Sequence, residues 1–353
     1  MKLHLVKEIG VSLGAALLVM GVPWTAMAGE AQEVQPAVRV VPSEYHGYMW
    51  RIDSKNKDML PRNFRMADGA FRKKISADKA GKGVIASPSR QGLEQLAISG
   101  SAEFSAGEFK ALQQTLQQKT HGPIYVIDLR QESHGLFNGD AVSWYGKRDW
   151  GNVGKSRQDA LADEAQRLQD AKGKILLLAQ LDKKKKPLHP QFAKITDAMS
   201  EQQLVEGAGW HYLRLTDTDH VWPAAENIER FIDFTRKLPK DAWLHFHCQA
   251  GMGRTTAYMA MYDMMKNPEV PLEDILSRQY LLGGAYVAHV SLKPASNDWK
   301  QTYYRQKAGM IKKFYAYVQE AHKTGFALKW SQWLKDHGDD AGKQKRQQPK
   351  LLS

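Results

Sequence analysis

The residues with the clearest chemical potential are a cysteine and an arginine separated by five positions. They lie in Cys248-Gln249-Ala250-Gly251-Met252-Gly253-Arg254-Thr255, which follows the apolar run Trp243-Leu-His-Phe-His247 and leads into a segment rich in Met and Ala. A loop of this length between a strand and a helix curls so that successive backbone amides point inward, and Arg254 closes the ring around an anion. Gly251 and Gly253 supply backbone conformations that other residues reach only at a cost. The helix that follows adds its free amides and the positive end of its dipole. The same field stabilises a thiolate, which makes Cys248 a nucleophile. Arg254 can grip two oxygens of a tetrahedral anion at once, as a lysine could not, and Thr255 is placed to donate its hydroxyl to the sulfur. His247, which completes the candidate catalytic set, reads by itself as an organiser of the loop. The competing reading is an inert buried thiol; the strand, the glycines, Arg254 and Thr255 together weigh against it.

Displacing an alcohol from such an anion needs an acid to protonate the departing oxygen. The segment Asp217-Thr-Asp219-His220-Val-Trp-Pro223 offers two carboxylates upstream of the loop. Asp219 is the preferred acid and Asp217 the runner-up, with a plain turn or capping role as the alternative for either. Trp222-Pro223 stiffens one end of this segment, and Pro223 sits where the first turn of a helix tolerates it.

The elements that position these groups alternate between strand and helix patterns. Ser105-Ala-Gly-Glu108 is a capping box ahead of Phe109, Leu112 and Leu116 at helical spacing. Strand-like runs follow at Ile124–Leu129, Val142–Tyr145, Ile175–Leu178 and His211–Leu215. Helical patterns cover Asp159–Ala171, the face of Ile228, Phe231 and Ile232, and Thr255–Met265. This order implies an α/β fold with a mainly parallel sheet covered on both faces by helices. The chain carries 50 Lys and Arg against 38 Asp and Glu, a formal charge of +12, which points to anionic partners. It has one cysteine in 353 residues, so an intrachain disulfide and a multi-cysteine zinc site are excluded. A basic start, the apolar run Ile9–Val22 and Ala26-Met-Ala28 read as a secretory signal cut after Ala28. The expected organisation is therefore signal peptide 1–28, linker 29–44, folded domain 45–335 and a solvated basic tail 336–353, in a periplasmic or secreted protein.

The loop resembles that of the protein tyrosine phosphatase superfamily, whose signature is His-Cys-x5-Arg followed by Thr or Ser. The stretch Asp219-His-Val-Trp-Pro223, then Glu226-Asn-Ile-Glu-Arg-Phe231, is similar to the bacterial tyrosine-phosphatase-like phytases. Leu60-Pro-Arg-Asn-Phe-Arg65, Ile127-Asp-Leu-Arg-Gln-Glu-Ser-His-Gly135, Ala141-Val-Ser-Trp-Tyr-Gly146 and Leu181-Asp-Lys183 agree with it. The resemblance spans roughly residues 45 to 325. It implies hydrolysis of phosphate from myo-inositol hexakisphosphate and lower inositol polyphosphates through a phosphocysteine, with no metal or cofactor. It also implies a small partial β-barrel subdomain formed by residues 46–60 and 135–200.

A substrate with several phosphates needs cations beyond the loop. Lys300, Tyr304 and Lys307 fall on one face of a helix and match the family's substrate-binding positions. Further substrate contacts are expected from the loop residues Gln249 to Gly253 and from Arg65, His220, Lys184 and Lys185. Asp149 is included as a group that orients an arginine or accepts from a ring hydroxyl. The four lysines at 183 to 186 leave the register of that run open. Arg130, Glu132 and His134 either brace the site or form a structural network. Alternative functions are a protein tyrosine, dual-specificity or phosphoinositide phosphatase and, in another class, a polyanion-binding module without turnover. Nucleic acid is not expected as a partner, since basic and aromatic residues do not interleave. Neither is a membrane once the signal is removed, and the oligomeric state stays open.

Overall fold

The computed structural model describes residues 41–71, 83–290 and 298–339. The expected signal peptide, most of the expected linker and all but the first residues of the expected tail lie outside the described residues.

Two sheets organise the fold. The first has five strands: Arg65–Met66 (β2), Ile98–Ala102 (β3), Ile124–Asp128 (β4), His211–Arg214 (β10) and Trp243–Cys248 (β11). Their order is β10-β4-β11-β3-β2; the first three pairings are parallel and only β2 runs antiparallel. The inner strands β4, β11 and β3 are almost entirely buried, as expected for a sheet covered on both faces, while the edge strand β10 is only partly so. One face packs against helices Ala225–Thr235 (α4), Gly253–Lys266 (α5) and Leu272–Leu281 (α6), together with Gln301–Ala321 (α7) and Trp330–Asp336 (α8), in the largest core cluster. Ala106–Gln117 (α1) and Glu201–Gly207 (α3) cover the other face with Phe109, Leu112, Leu116 and Val205. The capping box at α1 is present, with the Ser105 hydroxyl accepting from Glu108 N and the Glu108 carboxylate accepting from Ser105 N. Met259, Met261 and Met264 of α5 are fully buried against β11 and its neighbours, which makes the methionine cluster core packing.

The second sheet contains Met49–Ser54 (β1), His134–Phe137 (β5), Asp140–Tyr145 (β6), Ile175–Leu181 (β7), Pro187–Lys194 (β8) and Ala198–Met199 (β9) in the order β8-β7-β1-β6-β5-β9. Its pairings are antiparallel except between β1 and β7. It draws on the chain segments expected for the small subdomain, and among the described residues its end strands do not pair with each other. Helix Arg157–Ala171 (α2) packs on it through Leu168 and Ala171.

Three boundary expectations change. Val41 and Tyr45 are buried with Trp150 and Val221, so residues 41–44 are part of the fold and not a tether. Helix α8 runs through Asp336, because Trp330, Trp333 and Leu334 bury one of its faces. Pro223 precedes the α4 N-cap Ala224, and therefore shapes the approach to the helix instead of occupying its first turn.

Candidate active site

Strand β11 is the central strand of the parallel sheet, and the chain leaves its carboxyl end at Cys248 to enter α5 at Gly253. This is the end of an α/β sheet at which ligands bind. Gly251 has φ 69°, and a side chain there would overlap the backbone of Ser101 and Ala102, so the loop can lie against β3 only with glycine at this position. The Thr255 hydroxyl donates to Cys248 Sγ at 3.2 Å.

Arg254 is almost fully buried and firmly held. Its terminal nitrogens donate to Glu132 at 2.8 and 2.9 Å and to the carbonyls of Leu129 and Asp217 at 3.2 and 2.9 Å. Burial opposes its charge, but the Glu132 carboxylate overrides that effect and raises the guanidinium pKa well above its usual value. Glu132 is held below the ordinary carboxylate range against its own burial by Arg254 and Arg130. The Arg254 Nε is buried and has no hydrogen-bond partner among the described residues. A buried unpaired donor costs free energy unless a ligand satisfies it.

Asp219 faces the same space. One carboxylate oxygen lies 3.2 Å from Arg254 Nη2 and the other 3.0 Å from His220 Nε2. Burial would raise the carboxyl pKa, but His220 and Arg254 override it and hold the group below the usual range. Burial pushes His220 down to about 4, against the pull of Asp219. The Trp150 indole N–H donates to the Asp219 carbonyl at 2.9 Å and pins the segment. Asp217 differs in every respect. Its carboxylate accepts from Tyr258 Oη at 2.6 Å and Asn227 Nδ2 at 2.8 Å, and burial pushes it up to about 6. Its side chain is committed to the core, so of these two carboxylates it is Asp219 that reaches the cavity.

A cavity of about 800 Å³ opens over Cys248, within the roughly 300–1,000 Å³ typical of small-ligand sites. Its wall brings together Asp149, Asp219, His220, Cys248, Gln249, Ala250, Met252, Gly253, Arg254, Lys300, Tyr304 and Lys307. Lys307 is pushed down to about 8, chiefly by burial, although Asp219 favours its charge. Asp149 pairs with Arg51 at 2.6 Å, and burial, opposed by that pair, lifts it to about 6. Gln249 reaches Asp53 at 3.2 Å.

Other expected contacts fall elsewhere. Arg65 lies behind the loop, donating to the Gly251 carbonyl at 2.7 Å and to Thr256 Oγ1 at 3.1 Å, so it shapes the cradle and is absent from the cavity wall. His247 points to the opposite side of β11 from Cys248, as strand alternation requires, and meets Glu201 at 2.7 Å and Glu103 at 3.4 Å. Burial opposes its charge but Glu201 outweighs it, raising the imidazole to about 10. It is a buried cation under the loop and does not reach the cavity. In the lysine run, Lys183 and Lys185 line the cavity and Lys184 does not. The Asp182 carboxylate accepts from Lys184 N and Lys186 N and forms the hairpin turn that sets this register. Glu132 is the bracing partner of Arg254. His134 belongs to the buried network, 3.2 Å from Asp128 and 3.6 Å from Glu201.

The sequence reading missed Lys147, Arg148, Trp299 and His289, all of which line the cavity. Lys147 and Arg148 follow the strand-like run Val142–Tyr145 after Gly146, at the point where the chain leaves the sheet, and that position was an available signal. With them the wall holds seven Lys or Arg side chains against two carboxylates. The arrangement can seat a tetrahedral anion against Sγ, offer it Arg254 Nε, present Asp219 at its edge and surround the remainder of a polyanionic molecule with cations.

Comparison with known proteins agrees with this geometry. The model of the PTP-like phytase family, described as inositol hexakisphosphate, matches residues 127–266. A PTP-like myo-inositol phosphatase from Mitsuokella multacida, solved in complex with myo-inositol-(1,3,4,5)-tetrakisphosphate, is 59% identical, with a TM-score of 0.82 over 84% of this chain and 50% of that one. A PTP-like phytase from Bdellovibrio bacteriovorus is 31% identical with a TM-score of 0.63, over 85% of this chain and 100% of that one. Effector protein hopD2 of Pseudomonas syringae pv. tomato is 31% identical over 69% of this chain and 52% of that protein. The chain thus spans about half the length of the Mitsuokella and Pseudomonas relatives. With the full length of the Bdellovibrio protein covered and the cysteine loop, its arginine and the upstream acid in one cavity, the chain belongs to the PTP-like phytase family.

Proposed function

We propose that the protein is a cysteine-dependent phosphatase that releases phosphate from myo-inositol hexakisphosphate and lower inositol polyphosphates. The observation that carries this reading is the buried, unpartnered Nε of Arg254 beside Cys248, beneath a wall dominated by cations. In the first step the Cys248 thiolate attacks phosphorus, an S–P bond forms, and the P–O bond to the ring breaks. Asp219 gives its proton to the departing alkoxide. In the second step water attacks the phosphocysteine and passes a proton to Asp219, and the thiolate leaves with the Thr255 hydroxyl donating to it. Positioning and charge stabilisation supply most of the acceleration in phosphoryl transfer.

Asp219 must be protonated for the first step, although its contacts with His220 and Arg254 favour the ionised form. A phosphate dianion in the loop offsets Arg254 and adds negative charge beside Asp219, and both effects raise the carboxyl's proton affinity. Binding therefore arms the acid.

The reading extends to an exported protein cleaved after Ala28, supported by the charge and apolar pattern of residues 1–28; amino-terminal sequencing of protein from the periplasm and the medium tests it. For the activity, phosphate release from inositol hexakisphosphate is compared with release from a phosphotyrosine peptide at equal concentration, in wild type and in Cys248→Ser. Faster release from the inositol phosphate, abolished by the substitution, supports the proposal. Preference for the peptide, or retained turnover in the variant, overturns it.

A further inference from the structure

Arg148 has no part in the chemistry above, yet it forms part of the cavity wall. Its backbone is left-handed, with φ 65° and ψ 11°, a conformation uncommon outside glycine. With this turn its guanidinium lies over the Trp299 ring at 4.2 Å from the centroid, with Trp150 at 5.0 Å and Tyr45 at 5.8 Å. The Tyr45 hydroxyl accepts from Nη1 at 3.4 Å.

The surrounding charges set Arg148 apart. Arg51, Arg130 and Arg254, all nearby and buried, are each paired with carboxylates. Arg148 makes no ion pair among the described residues. The adjacent Asp149 is bound to Arg51, and Glu44, whose carboxyl feels the Arg148 charge, is bound by Lys147 at 3.4 Å. The result is a cation without an ion-pair partner among the described residues, held on an aromatic platform in the wall of a cation-rich cavity. Stacking fixes the guanidinium before a ligand arrives, which lowers the ordering cost of binding. Only Nη1 is engaged, by Tyr45, so among the described residues Nε and Nη2 are left for the bidentate contact that a phosphate accepts.

We propose that Arg148 determines specificity by binding a substrate phosphate other than the one being hydrolysed. This rests on the polyphosphate reading of the site and adds to it the group that separates substrates with several phosphates from those with one. The platform is also continuous with the acid segment. Trp150 holds the Asp219 carbonyl, and the His220 ring meets Trp299 with centroids 5.1 Å apart. A phosphate on Arg148 therefore sits on the same rigid assembly that positions the acid.

The test compares kcat/KM for inositol hexakisphosphate and for p-nitrophenyl phosphate, which carries one phosphate, in wild type, Arg148→Gln and Arg148→Lys. The expected result is a fall of at least about tenfold in the ratio of the two values in Arg148→Gln, carried mainly by KM for the polyphosphate. Arg148→Lys, which keeps the charge without the fork, falls between that variant and wild type. A ratio within about twofold of wild type in Arg148→Gln overturns the inference, as does an equal proportional loss on both substrates, which is what a purely structural arginine would give. Wild-type enzyme that hydrolyses p-nitrophenyl phosphate but not inositol hexakisphosphate overturns the polyphosphate reading itself, and the inference with it.

Discussion

Replacing Asp219 by Asn isolates the proton-transfer step. The substitution keeps the size of the side chain and a partner for His220, and removes one acid and one negative charge. That charge lies 3.2 Å from Arg254 Nη2, where it competes with the incoming phosphate for the guanidinium and repels it. Substrate binding should therefore be unchanged or tighter. The loss falls on kcat, and a positioned general acid accounts for about 10²–10⁴-fold. The assay is steady-state kinetics on inositol hexakisphosphate, whose leaving group is an alkoxide, beside p-nitrophenyl phosphate, whose phenolate leaves without help. The kcat loss should shrink to about tenfold or less on the second substrate. Because the acid works protonated, wild-type kcat falls as pH rises through its pKa in the complex, and this descending limb should vanish in the variant. Equal losses on both substrates would refute the assignment. So would a larger loss in Asp217→Asn, although the Asp217 oxygens already serve Tyr258 and Asn227.

Gly251→Ala should lower the unfolding free energy by about 1–2 kcal/mol from the left-handed backbone alone and deform the loop against Ser101 and Ala102; urea titration and phosphate release measure the two effects. Lys307, pushed down to about 8 by burial, loses charge as pH rises through that value, so KM for inositol hexakisphosphate should climb above about pH 8, and Lys307→Arg should flatten the rise. His247 is raised to about 10 by Glu201 against the opposing effect of burial. Its stabilising contribution is complete below the unfolded value of about 6.5. Between that pH and about 10 the native state keeps a proton that the unfolded chain has released. Stability should then fall with rising pH by up to about 1.4 kcal/mol per unit from this group, and His247→Gln should remove that slope in urea titrations between pH 7 and 9.

The cysteine loop was legible because its proposed chemistry is local: Cys248, Gly251, Arg254 and Thr255 occupy one stretch, and a strand and a helix on either side fix its shape. Lys300, Tyr304 and Lys307 were legible because helical spacing places them on one face of α7 and at its start. Arg65 and His247 lie outside the cavity for different reasons, and for His247 this favours the reading as a loop organiser over its place in the candidate catalytic set. Arg65 belongs to a stretch that resembles the family, but whether an arginine faces a ligand or the back of a loop depends on β2 pairing with β3, a contact remote in sequence. His247 is the immediate neighbour of Cys248, and the twofold alternation of a strand puts adjacent side chains on opposite faces. The register of the lysine run was hidden because it depends on a hairpin turn closed by Asp182, with Lys185 at φ 63°. The role of Trp150 and Trp299 could not be read from their spacing: they meet, with centroids 5.5 Å apart, across about two fifths of the chain.

The two sheets meet in a chain of buried ion pairs that explains how the second sheet can serve the chemistry of the first. Arg254 binds Glu132, Glu132 binds Arg130, and Arg130 binds both Glu103 and Asp53. Asp53 binds Arg51, and Arg51 binds Asp149 in the cavity wall. Buried pairs of this kind add little net stability, because desolvation consumes most of their attraction, but deleting one partner costs about 3–5 kcal/mol. The chain is therefore better understood as fixing position. It joins Arg254, the proposed phosphate ligand, to strand β1 and to the turn carrying Asp149, while Gln249 of the loop also reaches Asp53. Asp53→Asn should thus act beyond its own place in the core. It leaves Arg51 and Arg130 each short of a carboxylate and loosens the wall that carries Asp149 relative to Cys248. The expected outcome is a higher KM for inositol hexakisphosphate with a smaller change for p-nitrophenyl phosphate, which needs only the loop. A variant that loses stability in urea titrations and yet keeps the wild-type ratio of the two KM values would confine the network to folding.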